Sequence, residues 1–223
     1  MNFKKVVQNI LSEKNPLAVS RRNKMRNQLK NQTPTFICPN CIGGILFHDL
    51  GLQFQSPTVN LMLFQQDCAK FVMNMDYYLT QYFAFYNDPE YDCLCAHLGD
   101  ITVHFTHYKT QEEAVQKWKE RSRRIDPKNT FVFLMERDQL TYEQMKQLGN
   151  LNVRGLVIFT AHEYPDVPYC LYVPEYAAEG EVGNILEKSY LDDSRKYEKI
   201  FDFVKWFNEA DGNGYDISPY IKL

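Results

Sequence analysis

Apolar residues at Phe3, Val6, Val7, Ile10 and Leu11 follow the i, i+3, i+4, i+7, i+8 spacing of one helix face. Asn15-Pro16 ends that helix, because proline holds the residue before it away from the helical region. A second, polar helix follows over 17–29. From Pro34 the pattern changes to short apolar runs. It predicts a strand over 35–38, a turn over 40–44 that enters a helix, a strand over 59–64, and a helix over 67–83. Strands over 93–96 and 101–107 meet at Leu98-Gly99-Asp100. Thr110, with Glu113 three residues on, caps a helix reaching Ile125, whose inner stripe is Val115, Trp118 and Ile125. An apolar strand over 131–135, a helix over 141–148 with a Thr-x-x-Gln cap, an apolar strand over 156–159, a strand over 170–173 and a closing helix over 195–209 complete the pattern.

Helices alternate with strands, and the runs at 131–135 and 156–159 are apolar on both faces. That pattern belongs to a sheet covered on each side by helices. The predicted fold is α/β, a three-layer α/β/α arrangement around a mixed, mostly parallel sheet, with an N-terminal helical arm. Residues 1–32 form the basic arm and 33–223 a single α/β domain.

Charge supports that division. The chain has 223 residues and a net charge of −3, yet eight of its Lys and Arg lie within residues 1–32 beside one acid, Glu13. An acidic body argues against nucleic acid as a partner. The basic arm has two readings, a peripheral contact with an anionic inner membrane or a helix packed on the core with its lysines solvated. No apolar run reaches the roughly 18 residues that span a bilayer, and the start lacks the apolar stretch of a signal peptide, so the expected location is cytoplasmic, with or without membrane association. The six cysteines, Cys38-x-x-Cys41 among them, are expected as thiols.

In open α/β sheets ligands bind beyond the carboxyl ends of the strands. Asn40, Cys41, Gly43 and Gly44 follow the first strand, where backbone N–H groups at a helix start can hold an anion. Glu136-Arg137-Asp138 follows the strand ending at Met135. Its carboxylates are candidate ligands for a divalent metal (Mg or Mn), with Arg137 on a phosphate. An exposed turn before the Thr141 cap explains the same residues. His162 follows the next strand. His104 shares a strand face with Thr102, Thr106 and Tyr108, and Asp100 at the turn is placed to assist it. His107 falls on the opposite face of a straight strand, so the two rings cannot share one metal. The hydroxyls of Ser56 and Thr58 either bind a polar ligand or cap a turn. The chain contains no Gly-x-Ser-x-Gly elbow, P-loop or Gly-x-Gly-x-x-Gly fingerprint.

Three groups of these residues resemble a bacterial family catalogued as domain of unknown function 1919. They are Asn40-Cys41-x-Gly43-Gly44, then Leu50-Gly51-Leu52 with Ser56-Pro57-Thr58, then Leu98-Gly99-Asp100-Ile101-x-x-His104-Phe105-x-His107-Tyr108 with Trp118. The likeness runs from about Pro34 to Trp206. Glu136-Arg137-Asp138 fits the family's acidic-Arg-Asp pattern with Glu in place of the more usual Asp, and Ile42 stands at an aromatic position. Members are often labelled exopolysaccharide biosynthesis proteins, so the resemblance implies an α/β fold and a polysaccharide setting.

Residues and resemblance together suggest a group transferase, glycosyltransferase-like, that moves a group from an activated sugar or polysaccharide intermediate to a sugar acceptor. In that scheme His104 or His162 is the base, Asp100 orients it, Asn40 to Gly44 hold the donor phosphate, and Glu136 and Asp138 hold metal or sugar. The alternative is a non-catalytic component of the assembly machinery that binds carbohydrate or protein.

Overall fold

The computed structural model describes residues 15–223. The predicted helix over 3–11 lies outside them. The fold is mixed α/β, built on two sheets. The larger is wholly parallel, in the order β1 (Thr35–Ile37), β5 (Thr130–Met135), β6 (Gly155–Thr160), β7 (Cys170–Tyr172). The smaller is an antiparallel meander of β2 (Phe83–Tyr86), β3 (Leu94–Leu98) and β4 (Ile101–Phe105). The mixed character expected of one sheet is thus divided between two.

Every residue of β5 and β6 is buried, which requires cover on both faces. Strand register puts Phe36, Phe131 and Phe133 on one face. That face receives α2 (Ile42–Leu50) through Phe47, and α8 (Phe203–Glu209) through Phe203, Trp206 and Phe207. Against β5 also packs α3 (Gln65–Met73), which meets α6 (Tyr142–Leu148) as well. Aromatic rings meeting edge to face at about 5–6 Å fill the space between layers. Gly155 is needed for that packing. A Cβ there would lie 2.7 Å from both Phe131 and Trp206.

Several elements break where local patterning runs on. The helix expected over 67–83 is α3 and α4 (Met75–Thr80), separated at Asn74, and Phe83 already belongs to β2. The closing helix is α7 (Lys196–Ile200) and α8, separated at Phe201, which bridges to Ile221. Of the expected strand over 59–64, residues 59–60 end a turn and 61–64 form an extended strap. Leu63 N donates to Pro39 O beyond β1 (2.9 Å), while Met62 and His104 exchange backbone hydrogen bonds, each 2.9 Å. The strap therefore stitches the small sheet to the end of the large one. The inner stripe of α5 (Gln111–Ser122) is Ala114, Trp118 and Arg121. Arg121 is buried because it donates to Val59 O (2.7 Å) and to Tyr108 Oη (2.6 Å), and so satisfies the entry of the strap.

The polar helix of the arm, α1 (Pro16–Gln28), is docked on the body. Its Arg21 pairs with Asp49 and Glu198, and Arg26 donates to Asp49 O (2.8 Å). Among the described residues no helix is long and apolar enough to cross a membrane, and all six cysteines are thiols. Replacing Gly155 by Ala should lower stability by about 1–3 kcal/mol through overpacking. A reduced denaturation midpoint with an unchanged slope in urea would show it.

Candidate functional site

Strands buried on both faces offer chemistry at their ends. Glu136 leaves β5 and His162 follows β6 by two residues, and the parallel pairing of these strands brings the two together. Glu136 is almost fully buried and accepts four hydrogen bonds. Ala161 N (2.7 Å) and His162 N (3.1 Å) donate to Oε2, while Tyr164 Oη (2.5 Å) and His162 Nδ1 (2.8 Å) reach Oε1. Two backbone donors, a phenol and an imidazole engage both oxygens of the carboxylate. Burial and the neighbouring carboxylate push the Tyr164 phenol well above its usual range, which leaves its proton in place as a donor.

A carboxylate on Oε1 puts the proton of neutral His162 on Nδ1 and the lone pair on Nε2. The His162 side chain is 54 % exposed against 11 % for Glu136. The pair is therefore an oriented imidazole on a largely exposed side chain, an arrangement suited to a general base.

Asp138 and Arg137 pair with each other at 3.3 Å, and Arg137 also donates to Val182 O (3.3 Å). With both Glu136 oxygens engaged twice, the carboxylates do not combine as the metal pair the sequence suggested. Among the described residues no three His, Cys, Asp or Glu side chains form a cluster suited to a metal ion.

His104 is sealed inside the protein. It is 1 % exposed, its Nδ1 lies 3.3 Å from Met62 O, and the rings of Phe64 and Tyr91 lie 5.4 and 4.3 Å away. Burial lowers its pKa and keeps it neutral. Asp100 does not orient it. That carboxylate sits in the turn at the opposite end of β4, exposed, and accepts from Tyr78 Oη (2.7 Å) and Lys70 Nζ (3.1 Å), which hold its pKa below the ordinary value. Of the expected acid–base group, His162 remains in a reactive setting, and its orienting acid is Glu136.

The Asn40–Gly44 turn is closed on itself. Asn40 Oδ1 accepts from Ile42 N (3.0 Å) and lies 3.3 Å from Cys38 Sγ. Gly43 and Gly44 are inside the first turn of α2. A Cβ on Gly43 would meet Cys38 at 3.4 Å, and one on Gly44 would strike Asn60 Oδ1 at 2.7 Å. Ser56 and Thr58 are fully buried, with hydroxyls 2.9 Å apart, and Thr58 Oγ1 accepts from Cys38 N (3.3 Å). These five residues shape the end of β1. Cys41, like Asn40, is partly exposed, and His107 Nε2 lies 3.5 Å from its Sγ. Strand alternation separated His107 from the polar face, but β4 ends at Phe105 and alternation no longer governs residue 107. Tyr164 also escaped notice, because nothing local to Glu163-Tyr164-Pro165 indicates that Glu136 is beside it.

His104 makes stability depend on pH. Its folded pKa is below the ordinary 6.5. Its contribution is thus complete above that value and is lost as pH falls through it toward the folded pKa. His104→Phe should flatten the fall in stability between pH 7.5 and 5.5, measured by urea unfolding at each pH.

Comparison with known proteins now gives this arrangement a family. A model described as a domain of unknown function, DUF1919, matches residues 13–208. An uncharacterized protein of Haemophilus influenzae is 37 % identical over 186 residues, which cover 83 % of this chain and 89 % of the relative. The chain belongs to the DUF1919 family.

Proposed function

We propose that this protein is a group transferase of surface-polysaccharide assembly that activates a sugar hydroxyl as the acceptor. The observation that carries the reading is the Glu136–His162 pair: a buried carboxylate on Nδ1 of an exposed imidazole, beyond the carboxyl ends of parallel strands. Nε2 takes the proton of the attacking hydroxyl. Glu136 stabilises the imidazolium that forms, and Tyr164 and two backbone N–H groups keep the carboxylate in position. The polysaccharide setting comes from the labels that members of the family often carry.

His162→Gln keeps an exposed side chain and should leave folding intact while lowering transfer by about 10²–10⁴-fold. The assay follows polymer formed by cells that depend on the variant, alongside a thermal melt. Undiminished polymer with a folded His162→Gln variant would remove the catalytic role. For the donor, a thermal-shift series with nucleotide sugars should show stabilisation of about 2.7 kcal/mol at a hundredfold excess over Kd.

A further inference from the structure

We infer that Cys41 and His107 form a second reactive centre, in which the thiol takes an acyl group from a thioester whose thiol half carries phosphate. The inference does not rest on the Glu136–His162 reading. It concerns the neighbouring corner of the sheet, beyond β1.

Three features converge there. His107 Nε2 lies 3.5 Å from Cys41 Sγ, within reach of proton transfer. Cys41 is the N-cap residue of the nine-residue α2; its side chain makes no hydrogen bond to the first N–H groups of the helix, so the helix acts on the sulfur through its dipole alone. Both side chains line an open cavity of about 520 Å³, a volume within the range of small-molecule sites. The contrast with the chain's other thiols is instructive. Cys38, Cys68 and Cys95 are buried, and among the described residues no imidazole is hydrogen-bonded to Cys93 or Cys170.

The cavity wall indicates the ligand. Arg22, Lys188 and Arg195 line it. Asp193 pairs with Lys188 (2.9 Å) and so engages one of these cations, while Asp49 pairs with Arg21 from outside the wall, which leaves the wall net positive. A wall of that character suits phosphate. A thiol exchanges with a thioester at little cost, since one carbon–sulfur bond replaces another, and that selects the acyl donor.

Burial raises the Cys41 thiol above its ordinary value, so sulfur enters the reaction as S–H and needs a base. As Sγ attacks the thioester carbonyl, His107 Nε2 takes the thiol proton. The new carbon–sulfur bond forms, the bond to the donor sulfur breaks, and the imidazolium returns its proton to the departing thiolate. The products are an acylated Cys41 and the free donor thiol. No oxidant or further reactant is consumed.

The test incubates the full chain with acetyl coenzyme A, then measures released thiol and locates acetyl groups by peptide mass spectrometry after an acid quench. The expected result is one thiol released per chain in a burst, with the acetyl group on Cys41. Cys41→Ser abolishes both. His107→Gln, at an exposed turn position, slows acylation on the order of a hundredfold, while His162→Gln leaves it unchanged. S-acetylpantetheine, which lacks the phosphates, reacts more slowly than acetyl coenzyme A. No thiol release from acetyl coenzyme A, equal acetylation of Cys93 and Cys170, or an unchanged rate in His107→Gln would overturn the centre. Equal rates with the two donors would overturn its phosphate preference.

Discussion

A strand buried on both faces can present polar chemistry to solvent only where it leaves the sheet. In this protein β5 and β6 are buried along their entire length, so the positions after Met135 and Thr160 carry that constraint for the whole fold. A carboxylate emerging at such a place is costly unless it is hydrogen-bonded. Glu136 meets the requirement with two backbone donors from the end of β6, together with Tyr164 and His162. The bonds that make the carboxylate tolerable are the same ones that orient the imidazole. Stability and candidate chemistry are therefore one arrangement, which is why Glu136 cannot also be assigned to a metal.

The opposite treatment is given to His104. The strap of residues 61–64 pairs with β4 through Met62 and attaches to β1 through Pro39, so the histidine is trapped at the junction of two sheets. Its polar partner is a backbone carbonyl and its other neighbours are aromatic. A histidine on a strand with polar neighbours in sequence thus becomes a joint between sheets. Three residues on, outside the strand, His107 escapes the junction and meets Cys41.

Most of the architecture was legible along the chain. The apolar runs at 131–135 and 156–159, the caps at Thr110 and Thr141, and the hairpin turning at Gly99-Asp100 all rest on interactions within a few residues, and each is found within one or two residues of its expected position. The misses have a common cause. Asn74 and Phe201 interrupt apolar patterns that look continuous: Asn74 leaves the helical region between α3 and α4, and Phe201 is taken by its bridge to Ile221. Arg121 is buried for a carbonyl 62 positions away.

The site divides along the same line. Sequence by itself determined that Glu136 and His162 lie at the ends of apolar strands, since alternation and burial are written locally. Whether those strands are neighbours, and in what register, depended on pairing between segments that share no local signal. That pairing made Glu136 the partner of His162, while other long-range packing sent Asp100 to Tyr78 and Lys70 and closed Ser56 and Thr58 into the core. A side chain's secondary structure follows from its near neighbours along the chain. Its proton, its charge and its access to solvent follow from groups that only the folded sheet brings within 3 or 4 Å.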